Sequence, residues 1–329
     1  MYSYESFSHI YIEKQVLKEP KTAQICAKLP SATIVEIEHY KDVFNRSIND
    51  FREQKKSTKL ILAKKPSPFL YPITELIQDQ KQKHFYYSSF VLNCLYDCHY
   101  CFLQGMYPSA YVVVFVNVQE FIDAIIEKQK EVDDQLFVSI SYDTDLLLFE
   151  KYTGFIADVS RAVEGKPISL EVRTKSGNIK PLLSLPKDNL VFNISLSPES
   201  IVSEYEKKTA SLASRLKAIN EAIEHGLDVG IVFDPIIYCD DFFAVYTAFF
   251  KEVFTQIKHQ KINRFVVGTF RMNTQQLKKI RKKLQSDIVF YPYESHNDIS
   301  TYPKDTNDKM YAFVKKELAF LDEKKIDLL

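Results

Sequence analysis

Cys94-Leu-Tyr-Asp-Cys98-His-Tyr-Cys101 decides how the rest of the chain reads. A thiolate is a soft ligand that selects zinc, copper or iron–sulfur clusters. Thiols at C-x3-C-x2-C spacing offer three ligands to a centre that takes four. In a 4Fe–4S cluster one iron is then left without a protein ligand and can bind a small molecule. In a zinc site His99 or the distant Cys239 would complete the set. Structural zinc sites pair two cysteine or cysteine–histidine knuckles, and no second knuckle occurs here. The spacing therefore favours the cluster.

The totals agree with a protein built around such a centre. The chain has 329 residues, room for one large domain or two small ones, and 46% of them are apolar. Its 43 basic and 43 acidic residues cancel. The totals thus announce no strongly basic nucleic-acid binder. Cys26 and Cys239 bring the cysteines to five, an odd and clustered set unlike a secreted disulfide framework. A reducing cytoplasm is expected. The N-terminus is polar and lacks the build of a signal peptide. Apolar runs such as Tyr111 to Val116 are too short to cross a bilayer, so no membrane partner is expected.

Strand-like and helix-like segments alternate from about Asn93 onward. Strands are predicted at Lys83–Leu92, Leu136–Ser141, Ile168–Thr174, Leu190–Ser195, Val229–Ile237 and Arg264–Phe270. Helices are predicted at Val118–Glu131, Leu146–Val163, Ser211–His225, Asp241–Ile257 and Gln275–Leu284, with a short one at Ile179–Ser184. Gly226 is a good stop for the third of these. About six strand–helix units argue for α/β architecture, a parallel sheet wound into a partial (β/α)6 TIM-like barrel. Three short strands, Ile10–Ile12, Ala32–Ile37 and Lys59–Ala63, suggest a small N-terminal α/β extension. The expected division is 1–82 for the extension, 83–290 for the barrel and 291–329 for a C-terminal loop and closing helix. That loop is read over Tyr291–Asp308 and the helix over Met310–Leu321. In such barrels polar groups at the C-terminal ends of strands face the active site.

The cysteine spacing, with aromatic Tyr100 inside the last pair, resembles the motif of radical S-adenosylmethionine (SAM) enzymes. Further stretches resemble the spore photoproduct lyase family: Cys98-His-Tyr-Cys-Phe-Leu-Gln104, Tyr111-Val-Val-Val-Phe-Val-Asn117, Glu171-Val-Arg-Thr-Lys175, Asn193-Ile-Ser195-Leu-Ser197, Thr209 with Arg215, and Gly230-Ile-Val-Phe-Asp-Pro-Ile-Ile237. The likeness covers about Phe85 to Pro235. It implies a 4Fe–4S cluster on Cys94, Cys98 and Cys101, with SAM on the open iron. Reductive cleavage of SAM would give a deoxyadenosyl radical that abstracts hydrogen from UV-damaged DNA. Tyr100 would contact the adenine. Thr144, Lys175 and Ser195 would hold the rest of the cofactor. A reductase, flavodoxin or ferredoxin would supply the electron.

Three departures qualify the likeness. Tyr142 stands where the family has a hydrogen-donor cysteine, so it either substitutes directly or marks another substrate. Phe102 stands where the family has a tyrosine, and only Tyr100 keeps a hydroxyl in that loop. Tyr100 and Tyr142 are therefore the candidate catalytic residues. The region Tyr291–Tyr311, where the family has an Arg- and Gly-rich DNA-contacting hairpin, has neither residue and carries Glu294, Asp298, Asp305 and Asp308. The alternatives are a paralogue acting on another nucleotide or small molecule, and a catalytically silent iron–sulfur protein.

Other candidates are weaker. Asp143 and Asp145 could act as a carboxylate pair, although Asp145 reads first as an N-cap-region residue of the following helix. The basic runs Lys278–Lys283 and Lys55, Lys56, Lys59 read as solvated faces, with Lys278, Arg281 and Lys282 able to share one helical face. His225 reads as a helix C-terminal dipole partner.

Overall fold

The first described segments alternate between strand and helix. In the computed structural model, which describes residues 7–46, 50–73 and 82–329, they are β1 (His9–Glu13), α1 (Pro20–Ala27), β2 (Thr33–Ile37), α2 (Lys41–Phe44), α3 (Phe51–Lys56) and β3 (Leu60–Ala63). The polar N-terminal residues through 6, with 47–49 and 74–81 of the expected extension, lie outside the described residues. Next come β4 (Tyr71–Pro72), β5 (Phe85–Tyr87), β6 (Val91–Leu92), β7 (Asp97–Cys98), α4 (Leu103–Met106) and β8 (Val112–Phe115). One sheet runs in the order β2-β1-β3-β8-β6, parallel except for β6. All residues of β3 and β8 are buried. Parallel strands covered on both faces read as continuous apolar runs, as Leu-Ile-Leu-Ala and Val-Val-Val-Phe do.

The barrel follows as α5 (Val118–Lys130), β9 (Leu136–Ser139), α6 (Leu147–Thr153), α7 (Phe155–Ala162), β10 (Ile168–Thr174), β11 (Leu190–Ser195), α8 (Glu199–Tyr205), β12 (Glu206–Lys207), α9 (Leu212–Glu224), β13 (Asp228–Ile236), α10 (Phe242–Gln256) and β14 (Arg264–Thr269). It closes through β15 (Arg271–Asn273), α11 (Thr274–Lys283), α12 (Asp287–Phe290), β16 (Glu294–His296), β17 (Ile299–Thr301), α13 (Lys304–Glu317) and β18 (Ile326–Leu328). The second sheet runs β18-β14-β13-β11-β10-β9-β5-β4. Its six expected strands are parallel, β18 adds another parallel strand beside β14, and β4 pairs antiparallel with β5. The fold is the partial strand–helix barrel that the alternation predicts. One buried apolar core runs through both sheets, and no helix among the described residues is long and apolar enough to cross a membrane.

Several local expectations change, each for a physical reason. The segment Lys83–Leu92 is two strands: β5 enters the barrel sheet, while β6 turns back to pair with β8 in the first sheet. The helix expected over Leu146–Val163 breaks at Gly154, whose φ of 66° is left-handed and cheap only for glycine. The Glu150 carboxylate then accepts the backbone N–H groups of Ile156 (2.8 Å) and Ala157 (3.0 Å), capping α7 from the end of α6. The short helix at Ile179–Ser184 is a 3-10 turn over Lys180–Leu182. The loop expected at Tyr291–Asp308 contains an antiparallel hairpin, β16–β17, and the first turn of α13. Asn297 and Asp298 turn that hairpin with φ of 47° and 61°, the left-handed pair a tight hairpin requires. The closing helix runs over Lys304–Glu317, earlier than Met310–Leu321.

Candidate functional site

The cysteine loop begins where β6 ends. Asn93 takes a left-handed φ of 71°, and its side-chain amide donates to the carbonyls of Ser109 (2.7 Å) and Tyr111 (2.8 Å). The loop is next held by a two-residue antiparallel ladder, with Cys98 opposite Glu206 and Asp97 opposite Lys207. The Gln104 amide donates to the Cys98 carbonyl at 2.6 Å. At α4, Gly105 lies against α11 so closely that a Cβ would stand 2.4 Å from the Gln276 carbonyl oxygen.

Cys98 is buried, and Cys94 and Cys101 are partly covered against the same core. Burial pushes the Cys94 thiol up to about 12, with the Asp145 carboxylate adding to the shift and Lys55 opposing it. Burial likewise pushes up Cys98, opposed by Lys175, and Cys101, opposed by Lys55 and Lys175. Three thiols this desolvated become ligating thiolates only beside a strongly cationic centre, and a polynuclear iron core supplies that charge. Among the described residues no three His, Cys, Asp or Glu side chains stand close enough to share a single metal ion. Of the other zinc donors, His99 meets the Ser286 hydroxyl through Nδ1 at 3.0 Å and packs edge-on to Tyr205. Burial, with the charges of Asp240, Glu204 and Asp241, raises the Cys239 thiol. The donor set fits a three-cysteine cluster.

Next to the thiols lies a charge hub that the sequence does not announce. The Glu206 carboxylate is fully buried. It accepts from Lys175 Nζ (2.7 Å), Arg215 Nη2 (2.6 Å), Ser197 Oγ (3.0 Å) and the Tyr100 hydroxyl. Burial alone would raise its pKa, but Arg215 and Lys175 outweigh burial and hold the carboxyl well below the usual range. Arg215 also donates to the carbonyls of Ser195 (3.0 Å) and Ala210 (2.9 Å) and to Thr209 Oγ1 (2.7 Å). Lys175 Nζ donates to Tyr100 Oη at 2.6 Å and stands 5.0 Å over the Tyr100 ring. Tyr100, Lys175 and the backbone of Ser195 thus meet in one network, with the Tyr100 hydroxyl committed to Glu206 and Lys175. Nothing in Tyr205-Glu-Lys-Lys208 separates Glu206 from a solvated charge; its place opposite Cys98 is a tertiary fact.

The expected carboxylate pair does not form. Asp143 accepts from the Ser89 hydroxyl, whereas Asp145 accepts from Thr174 Oγ1 (2.8 Å) and the Lys175 backbone N–H (2.8 Å). Asp145 therefore fixes the end of β10 rather than capping α6, whose N-cap is Leu146. Burial raises Asp145 to about 6. Between the two carboxylates Thr144 is buried, and its hydroxyl has no partner among the described residues. An orphaned buried hydroxyl at a strand end is a binding group awaiting an acceptor. Tyr142 is half-buried, its ring centroid 4.4 Å from Tyr87 and 5.5 Å from Phe102, the neighbour of Cys101.

The family model described as spore photoproduct lyase matches residues 6–287. The chain belongs to the spore photoproduct lyase family. It is 25% identical over 208 residues to the spore photoproduct lyase of Clostridium acetobutylicum, a match covering 60% of each chain. With that of Bacillus subtilis it shares 25% identity over 243 residues, 69% of this chain and 67% of the relative. A solved spore photoproduct lyase complexed with dinucleoside spore photoproduct matches with a TM-score of 0.83 at 15% identity, covering 99% of both chains. A mutant spore photoproduct lyase with bound AdoMet and the same dinucleoside matches with a TM-score of 0.82 at 17% identity, covering 98% of this chain and 97% of the other. At these identities the structural likeness concerns the fold, which is therefore the spore photoproduct lyase fold from end to end.

The basic runs are solvated faces in part, with Lys56, Lys278, Lys279 and Lys282 exposed. Arg281 donates to the carbonyls of Val289 (2.6 Å) and Tyr291 (3.3 Å), leaving Lys278, Lys279 and Lys282 as the exposed cations of α11. Lys55 is buried. His225 does sit at a helix end, bonded to the Glu221 carbonyl at 2.8 Å.

Proposed function

We propose that this chain is a radical SAM lyase that repairs UV-induced thymine lesions of the spore-photoproduct type in DNA. The place of Cys94, Cys98 and Cys101 in one short loop, paired through Cys98 to the Glu206 strand in a chain of this family, carries the reading. A 4Fe–4S cluster and SAM, once bound, would supply one-electron radical chemistry able to abstract a hydrogen atom from the lesion. The chain's own residues do the rest. Cys94, Cys98 and Cys101 would hold the cluster. The Lys175 ammonium, held on Glu206 and Tyr100, would bind the carboxylate of SAM. Thr144 and Ser195 would hold the rest of the cofactor, and Tyr100 would contact its adenine. Tyr142 would give its phenolic hydrogen atom to the substrate radical, a role its hydroxyl can fill and Phe102 cannot, and one electron from the donor with one proton would return the tyrosyl radical to the phenol. A low-potential flavodoxin, ferredoxin or reductase is the electron source.

The test is anaerobic reconstitution with iron and sulfide, reduction, and incubation with SAM and a dinucleoside thymine lesion. Intact thymine restored above a SAM-free control supports the reading. Deoxyadenosine without thymine leaves a radical SAM enzyme with another substrate. Neither product from a fully loaded chain rejects the assignment.

A further inference from the structure

The helix α3 of the N-terminal lobe reaches into the cysteine loop with two cations on one face. Arg52 forks onto Asp97, Nη1 to Oδ1 at 3.1 Å and Nη2 to Oδ2 at 3.2 Å. One turn on, Lys55 Nζ donates to the carbonyls of Cys94 (2.9 Å) and Tyr96 (2.7 Å). Positions three apart share a helix face, so both side chains follow from one docking of α3. Two further lysines lock the seam. Lys208 donates to the Lys55 carbonyl at 3.2 Å. Lys283 donates to the carbonyls of Gln104 (2.7 Å) and Tyr107 (3.0 Å) and lies 4.3 Å over Phe51.

Lys55 is the unusual member. It is only 8% exposed. Its partners are two neutral carbonyls and the Phe51 ring at 5.9 Å. Among the described residues no carboxylate pairs with it. A buried ammonium without a counter-ion is costly. One of those carbonyls belongs to Cys94 itself and the other lies two residues on, so the ammonium sits on the backbone that carries the thiols. A 4Fe–4S core held by three thiolates is a net anion, and one-electron reduction adds a further negative charge.

We infer that Lys55 is a positioning residue for the cluster, a counter-ion supplied by the N-terminal lobe that fixes the cysteine loop and raises the reduction potential of the centre bound there. The inference rests on the cluster assignment made above. A cation in a low-dielectric site favours the more negative redox state of its neighbour. The lobe therefore does more than extend the barrel: through α3 it sets how readily the centre accepts its electron.

The experiment is an EPR-monitored redox titration of reconstituted wild-type protein, K55M and K55Q, with K59M as a control on the same lobe. Iron and sulfide are counted per chain, and folding is checked by circular dichroism. The expected result is an intact cluster in K55M and K55Q whose equilibrium constant for reduction falls at least tenfold, about 59 mV more negative for one electron, with K59M unchanged. Folded K55M and K55Q chains that load markedly less iron than wild type also support the inference, since the loop has lost its anchor. A full cluster at the wild-type potential in both variants overturns it. So does global unfolding of both, which would make Lys55 a residue of general stability. A wild-type chain that takes up no cluster instead fails the functional reading beneath it, and that result is read before any variant.

Discussion

Tyr87 at the end of β5 and Tyr142 beyond the end of β9 lie ring against ring, centroids 4.4 Å apart and planes inclined by 43°. β5 and β9 are parallel neighbours, with Tyr87 opposite Ser139, so the contact is built by the sheet. Phe102 adds a second ring at 5.5 Å from Tyr142. Tyr142 is thus a phenol held by packing beside the cysteine loop. Y142F keeps that packing and removes the transferable hydrogen. Thymine restoration is expected to fall by roughly a hundredfold or more, the scale of a lost transfer group, while deoxyadenosine formation stays close to wild type. Equal loss of both products would place Tyr142 in cofactor binding instead.

Glu206→Gln removes the charge between two buried cations. Arg215 is fully buried, and the Lys175 side chain is 17% exposed. Removing one partner of such a pair costs about 3–5 kcal/mol, because the other charge is left uncompensated. Urea unfolding is expected to show a loss of that size. A change under about 1 kcal/mol would mean that the hub is hydrated or neutral.

Asp145 makes stability depend on pH in a defined window. Burial raises its folded-state pKa from 3.8 to about 6. Between those values the folded chain binds the proton and the unfolded chain does not. Its contribution is therefore fully present below 3.8 and lost as pH rises through about 6. A two-unit shift is worth about 3 kcal/mol. D145N, which keeps an acceptor for Thr174 and Lys175, is expected to flatten the urea stability profile across that window. An unchanged slope would show that Asp145 titrates normally.

Gly105 tests the docking of the cysteine loop on α11. A Cβ there would meet the backbone of Gln276, which has no rotamer to yield. G105A is expected to destabilise the fold by about 1–3 kcal/mol through overpacking, read as a lower melting temperature. Wild-type stability would show that α4 can slide on α11.

The barrel was legible because each strand is an apolar run followed by a helical period; Leu136–Ser139 and Leu190–Ser195 show this plainly. The three cysteines were legible because ligand spacing is local. Glu206 and Lys55 were not, because each looks like an ordinary surface charge until β12 lies against β7 and α3 against the loop. Asp145 misled for a related reason: before a helix it reads as a cap, yet the Thr174 hydroxyl on the adjacent strand is the stronger claim on its oxygens. The hairpin at Asn297–Asp298 carried its turn residues in plain view, but three-residue strands give too short an alternation to notice.

Val112–Phe115 sits between β3 and β6, buried at every position. A chain shortened to begin at Lys83 would keep this strand and lose β3. It would present an apolar row of bare N–H and C=O groups, a template for self-association. The lobe therefore acts as the barrel's solubility cover. Trimming it would yield aggregates before it yielded a smaller enzyme, and the two sheets can be inherited or engineered only together.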